Sequence, residues 1–332
     1  MDNSKFTVSS TPHIRSKDST STIMRDVIIA LTPAALMGIL AFGLKALLII
    51  AVSIAACVCF EALFQKITKQ KITVYDLSAV VTGLLLAMNL PSTSPLWLPI
   101  VGGFFAIVVA KQLFGGIGQN FINPALAARA FLVASYPTAT TGSAFTQPVW
   151  FENISNWFSN GFSSSAAVDA ASYATPLAVV KNSEAFVPGS NDILNAIFGN
   201  VGGCIGETCA AALILGGLYL LFRKVISWRI PVTYIATVFI LTWAFGRVPY
   251  YEIFIGGLML GAFFMATDYS SSPVTSVGQI IMGIGCGILT SLIRVYGGYP
   301  EGVSYSILIM NLAVPLIDRY TKPRIFGGGK AK

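Results

Sequence analysis

Ionisable side chains set within long apolar runs are the first residues in this sequence that could do chemistry. Arg129, Glu207 and Asp268 lie deep in such runs, and Glu61, Asp76, Arg294 and Asp318 lie nearer their ends. An unpaired charge is costly in a lipid interior, so such groups pair with one another or mark an ion path. Glu207 sits in Gly202-Gly-Cys-Ile-Gly-Glu-Thr208, where small residues let a neighbouring helix come close. Two readings stand side by side. Arg129 pairs with an acidic residue to hold two helices together, or Glu207 and Asp268 contribute to an ion pathway.

Hydroxyls offer a second chemistry in Asp169-Ala-Ala-Ser-Tyr-Ala-Thr175-Pro-Leu177. Taken alone, a threonine before proline is ordinary turn chemistry. His13 is the one histidine, and one histidine cannot make a metal site. Cys57, Cys59, Cys204, Cys209 and Cys286 form no C-x-x-C pair and read as small apolar packing residues. No phosphate-binding G-x-x-x-x-G-K-[ST] loop, dinucleotide fingerprint or His/Cys ligand cluster is present. Redox chemistry would need a cofactor held in another way.

The elements that position these residues follow from composition. Of 332 residues, 55% are hydrophobic and 11% charged, with mean hydropathy +0.73. A soluble domain carries roughly 25% charged residues. The apolar residues come in blocks near the ~20 residues a helix needs to span a bilayer. Barrel strands would alternate in polarity, so the fold class is an all-α membrane protein. Apolar runs and breakers predict ten spans, at 25–43, 45–64, 76–91, 95–113, 122–136, 201–222, 229–246, 250–268, 276–293 and 302–319. Residues 1–24 lack the apolar core of a cleavable signal, so Val27 to Phe42 is expected to act as an uncleaved anchor.

The formal charge of +7 is spread over loops, without the basic face of a nucleic-acid binder. It follows topology instead. With the N-terminus inside, all but five of the 21 Lys and Arg fall in cytoplasmic segments, the exceptions being Lys45, Arg129, Lys181, Arg247 and Arg294. That orientation makes both termini cytoplasmic and the 137–200 loop external. A loop of this length in a compact bundle is usually functional or disordered.

Two stretches resemble each other. Leu86 to Pro95 (LAMNLPSTSP) aligns with Phe264 to Pro273 (FMATDYSSSP), and Lys111-Gln-Leu-Phe-Gly-Gly116 with Ile293-Arg-Val-Tyr-Gly-Gly298. In the topology above each pair changes sides, as an odd number of spans per repeat requires. The expected organisation is therefore a cytoplasmic segment 1–24, a five-helix repeat 25–136, an external loop 137–200, an inverted five-helix repeat 201–319 and a cytoplasmic tail 320–332. Inverted repeats commonly build a pathway near the midplane.

Several segments together carry a family resemblance. They are Pro12-His-Ile-Arg15, Thr82-Gly-Leu-Leu-Leu-Ala87, the run Lys111 to Pro124 (KQLFGGIGQNFINP), Gly203-Cys-Ile-Gly-Glu-Thr208, Ala266-Thr-Asp268 and Tyr296 to Ser304 (YGGYPEGVS). Through nearly its whole length the chain resembles the RnfD family of Rnf complexes, related to the B subunit of the sodium-pumping NADH:quinone oxidoreductase. The resemblance implies a bacterial cytoplasmic (inner) membrane protein, part of an oxidoreductase that couples ferredoxin:NAD⁺ electron transfer to Na⁺ or H⁺ transport. It implies FMN joined by a phosphoester to a threonine in a D-x-x-[ST]-[GA]-A-T pattern. Here that threonine is Thr175, with Asp169, Ser172 and Ala174 at the matching places and Tyr173 departing from the usual small residue.

Attachment in this family uses a separate flavin transferase, with the threonine hydroxyl attacking the FAD diphosphate. An accessible loop, kept extended by Pro176, suits that step. The implied partners are the A, B, C, E and G subunits of the Rnf complex, with iron–sulfur and NADH sites on other subunits. By analogy with the related sodium pump, a second, non-covalent riboflavin or FMN is expected in the bundle. The alternative is a cofactor-free channel or secondary transporter of the urea- or ammonium-transporter type, which has no need of the Thr175 motif.

Overall fold

The computed structural model describes residues 19–141, 144–146, 148, 175–182, 188–298 and 301–322. His13, Asp169, Ser172, Tyr173 and Ala174 lie outside the described residues. Among those described there is no strand, only an isolated antiparallel bridge between Pro91 and Cys204.

The first apolar run forms α1 (Thr20–Phe42), which starts five residues before its expected edge. The cause is a cap: Ser19 Oγ accepts from the Thr22 N–H at 3.3 Å, and Thr22 Oγ1 accepts from the Ser19 N–H at 2.8 Å. This reciprocal pair satisfies donors that a helix start leaves open. The chain breaks at Gly43, whose φ of 77° suits glycine, and resumes as α2 (Leu44–Ile67). A short turn, Val74–Asp76, precedes α3 (Ser78–Met88), and Asp76 Oδ1 accepts from the Ser78 N–H at 2.8 Å. Next come α4 (Trp97–Phe104), which runs on as a π-helical turn at Phe105–Val109, and α5 (Pro124–Ser135). Asn123 caps α5 by accepting from the Ala125 and Leu126 N–H groups, and Pro124 opens the helix without needing a donor.

Three short helices follow: α6 (Pro137–Thr140), α7 (Pro176–Asn182) and α8 (Ser190–Phe198). The remaining apolar runs give α9 (Ala210–Phe222), α10 (Arg229–Ala244), α11 (Pro249–Glu252), α12 (Leu258–Leu260) continued by π-helical Gly261–Met265, α13 (Ser276–Tyr296) and α14 (Val303–Thr321). Four stretches are long and apolar enough to cross a membrane by length and composition: Thr20–Phe42, Leu44–Ile67, Trp97–Phe114 and Ser276–Tyr296. Shorter apolar helices stand at Ser78–Met88, Pro124–Ser135, Ala210–Phe222 and Arg229–Ala244.

Two expected spans are corrected. Residues 201–209 of the expected 201–222 span are not helical, and the helix begins only at Ala210. The expected 250–268 span is broken by turns at 253–257 into α11, α12 and a π-helical segment. Gly202, Gly203, Gly206, Gly256 and Gly257 cluster in these two places, and glycine weakens a helix interior. Irregular backbone at membrane depth survives where protein covers it, and residues 202–209 are all buried.

Packing is close because small residues face each other, as lipid-embedded helices require. Ser53 Oγ on α2 donates to the Gly83 carbonyl on α3 at 2.7 Å. A β-carbon on Gly83 would fall 2.7 Å from Ile54 Cα and 2.9 Å from the Ser53 carbonyl oxygen. Gly83→Val is therefore expected to destabilise the bundle by about 1–3 kcal/mol, the usual cost of overpacking. A lower melting temperature of the detergent-solubilised chain is the measurement; an unchanged one would contradict the α2–α3 contact.

Candidate functional site

The irregular 202–209 segment is docked by its backbone. The Ile205 N–H donates to the Leu90 carbonyl at 3.0 Å, and the Gly206 N–H to the Met88 carbonyl at 2.8 Å. Only glycine fits at 206, because a β-carbon there would lie 2.6 Å from Met88 Cβ. This seam fixes Cys204 and Glu207 against the end of α3. Opposite them, α5 presents Arg129, which is buried.

Arg129 is the hub. Its Nη1 donates to Asn89 Oδ1 at 2.6 Å and faces Glu207 Oε1 at 3.5 Å. Its Nη2 pairs with Glu301 Oε2 and approaches Cys204 Sγ at 3.7 Å. Arg129 thus has the acidic partners that its placement demands, drawn from two segments far apart in sequence. Cys204, Glu207 and Glu301 stand close enough together to hold a metal ion, with donor atoms within 4.8 Å. Arg129 already supplies positive charge there.

The arrangement continues through Glu301. Its carbonyl accepts from Arg294 Nε at 3.3 Å, and Arg294 Nη1 donates to the Glu252 carbonyl at 2.8 Å. Glu252 also carries an ion pair to Arg247, at 3.3 Å, and to Arg294, at 3.7 Å. Arg247, Glu252, Arg294, Glu301, Arg129 and Glu207 form a ladder of alternating sign. Alternation is what lets six charges share a low-dielectric interior, since each is flanked by opposite charge.

A second buried pair closes the far end of α2 and α4. Lys111 Nζ contacts Glu61 Oε1 at 2.8 Å and Oε2 at 3.0 Å, and donates to Ser78 Oγ at 2.6 Å. Gln112 Nε2 adds a bond to Glu61 at 2.9 Å. Lys111, counted from sequence among the cytoplasmic positive charges at the end of the expected 95–113 span, is only 2% exposed.

Asp268 occupies a different place from Glu207. It accepts from Ser270 Oγ and Ser271 Oγ, each at 2.9 Å. It lines a cavity of about 80 Å³ with Ser78, Thr82, Lys111, Asn120 and Asn123. Asn123 also ties the π-helical segment down, donating to the Met265 carbonyl at 3.3 Å.

Thr175 immediately precedes α7 and is 7% exposed. Its Oγ1 accepts from the Ala178 N–H at 3.3 Å, and its carbonyl from the Val179 N–H at 3.0 Å. The expectation of an accessible threonine before an extended proline is corrected: Pro176 is the first residue of a helix, and Thr175 caps it. One residue on from Pro176, Leu177 joins Ala196, Tyr251 and Ile255 in a small apolar cluster. That cluster docks α7 on the 248–256 segment.

A model of the NQR2, RnfD, RnfE family matches residues 7–327. The chain belongs to that family. It is 52% identical to the D subunit of the Na⁺-translocating ferredoxin:NAD⁺ oxidoreductase complex of Acetobacterium woodii, over 100% of this chain and 98% of that protein. It is 46% identical to the D subunit of the proton-translocating ferredoxin:NAD⁺ oxidoreductase complex of Clostridium ljungdahlii, over 97% and 96%. It is 39% identical to the D subunit of the ion-translocating oxidoreductase complex of Aliivibrio salmonicida, over 98% and 99%.

In this NQR2, RnfD, RnfE family chain, sequence reasoning picked out Glu207, Arg129 and Arg294 but missed Glu252, Glu301 and Lys111 as buried partners. Glu301 sits between proline and glycine in Pro300-Glu-Gly302, which reads as a loop. Glu252 and Lys111 each left a signal, Glu252 because it falls inside the expected 250–268 span and Lys111 because it directly follows the unbroken apolar run Phe104 to Ala110. Removing one partner of a buried pair costs about 3–5 kcal/mol. Arg129→Met should therefore lower the melting temperature sharply, and adding Glu207→Gln and Glu301→Gln to it should recover part of the loss. Thermal melts of the single and triple variants check this, and a triple variant no better than the single would contradict the pairing.

Proposed function

We propose that this chain is the RnfD component of an Rnf-type ferredoxin:NAD⁺ oxidoreductase, carrying covalent FMN on Thr175 and contributing to Na⁺ or H⁺ transport. The full-length match to relatives bearing that complex's name supports the role, and the Thr175 motif supports the flavin. Its partners are the A, B, C, E and G subunits of the Rnf complex and a flavin transferase. It lies in the bacterial cytoplasmic membrane with both termini inside and α7 at the outer face. The positive-inside count favours this orientation even with Lys111 removed.

The residues present fit the flavin chemically. Thr175 offers the hydroxyl, and after esterification its oxygen remains beside the Ala178 N–H. At 7% exposure, however, the hydroxyl is out of a transferase's reach, so attachment takes place while the start of α7 is drawn from its dock. When bound, FMN supplies a carrier of one or two electrons. The chain's part is positional: Leu177 seats α7, and Arg294 braces the Glu252 and Ile255 carbonyls that form its floor.

We read the helices as two inverted five-helix repeats, α1 to α5 and α9 to α14 with α11 and α12 together making one span, and 137–200 as the flavin-bearing external loop. Each of the ten expected spans contains a described helix. Gln112 and Arg294, aligned in the repeat, each close a helix end onto an acid, Glu61 or Glu252. Glu207 and Asp268 are our ion-path candidates, one near the outer ladder and one at the cavity.

Denaturing gels under ultraviolet light test the flavin. After co-expression with a transferase the chain should fluoresce, and Thr175→Ala should abolish the band while the chain still inserts. A band surviving that substitution would move the attachment elsewhere. For ion transport, Glu207→Gln and Asp268→Asn in the assembled complex should each lower ion uptake into proteoliposomes severalfold while leaving the band intact. Unchanged uptake in both would remove them from the path.

A further inference from the structure

The helix that follows Thr175 ends in a region crowded with positive charge. Val180 and Val248 pack on the same small apolar cluster as Leu177, Tyr251 and Ile255. Their sequence neighbours, Lys181 and Arg247, are thereby brought to one side of α7. Lys181 Nζ donates to the Gly297 carbonyl, a neutral partner. Arg247 pairs with Glu252, but Glu252 is shared with the fully buried Arg294. Among the described residues Lys181 thus has a neutral partner, and Arg247 shares its carboxylate, Glu252, with Arg294.

Such an arrangement is unfavourable as it stands. Burial first, and the charge of Arg247 second, pull the Lys181 ammonium below its ordinary value. Counting Lys181 with the ladder gives four cations, Lys181, Arg247, Arg294 and Arg129, against three acids, Glu252, Glu301 and Glu207. Among the described residues the cations of this group exceed its acids by one. A phosphodiester on Thr175 carries one negative charge. Lys181 lies six positions on from Thr175, about 9 Å along the helix axis, which an FMN group can bridge.

We propose that Lys181 and Arg247 are the counter-charge for the anionic FMN group borne by Thr175, favouring its reduced form. This rests on the covalent-flavin reading above. Reduction by two electrons with uptake of one proton adds one negative charge to the group, the electrons coming from the complex's own reductant. A unit positive charge about 10 Å away, at an effective dielectric near 20, favours that charge about tenfold.

The test uses the full chain, co-expressed with a flavin transferase and solubilised in detergent, with Thr175→Ala as the spectral blank. Reductive titration of the attached flavin should show Lys181→Gln and Arg247→Gln each displaced about tenfold toward the oxidised form, or about 30 mV more negative for a two-electron couple. Lys181→Arg and Arg247→Lys should titrate like the parent. If Lys181→Gln instead loses the fluorescent band, restoration by Lys181→Arg supports the proposal, and failure to restore overturns it. An unchanged midpoint in the double Gln variant, with the band present, also overturns it. Absence of a band in the parent chain would strike the Thr175 reading itself, a distinguishable result.

Discussion

A guanidinium buried within an apolar bundle must find negative charge or destabilise everything around it, and Arg129 organises this molecule for that reason. Its two faces reach Asn89 at the end of α3, Glu207 in the irregular segment and Glu301 before α14. None of these segments could lie where it does without the others. The irregular stretch needs the Met88 and Leu90 carbonyls for its backbone donors, and Arg129 for its carboxylate. Breaking one link exposes either a lone charge or unpaired peptide groups, both expensive where water is absent.

The same constraint explains why the charges alternate from Glu207 to Arg247. A single buried pair gains little net stability, because desolvation offsets most of the attraction. A chain in which carboxylates and guanidinium groups are shared spreads that cost and defines geometry. Arg294 shows the effect: bonds to the carbonyls of Glu252, Ile255 and Glu301 fix three turns at once. Those turns form the floor on which α7, and hence Thr175, is seated. A redox group attached there would be set against a rigid, charged platform rather than a loose loop.

At the opposite end of α2 and α4, Glu61 and Lys111 solve a similar problem with different residues. The broken elements adjoin these clamps: the π-helical turn at 105–109 leads into Lys111, and the irregular segment at 202–209 carries Glu207. Interrupted helices leave carbonyls and donors free for polar partners, as Asn123 shows by bonding the Met265 carbonyl. The cavity containing Asp268 is lined by residues of α1, α3, α5 and α9 together with Phe263 and Phe264 of the π-helical turn at 261–265.

The sequence by itself determined the membrane class, the apolar segments, the family and the threonine motif. These are properties of composition and local order: charge-poor runs about 20 residues long cannot be solvated, and a motif is contiguous. It also picked out Arg129 and Glu207 as charges in need of partners. Which partners was decided only in three dimensions, because Arg129 and Glu301 lie 172 positions apart. The tertiary structure likewise decided that residues 201–209 are not helical despite their apolar character, since docking on α3 supplies their hydrogen bonds. It buried Lys111, which charge counting had placed at the cytoplasmic face, because Glu61 and Ser78 supply its partners from other elements. And it turned Thr175 from an accessible loop residue into the buried cap of a helix, because Leu177 finds an apolar seat that no local pattern announces.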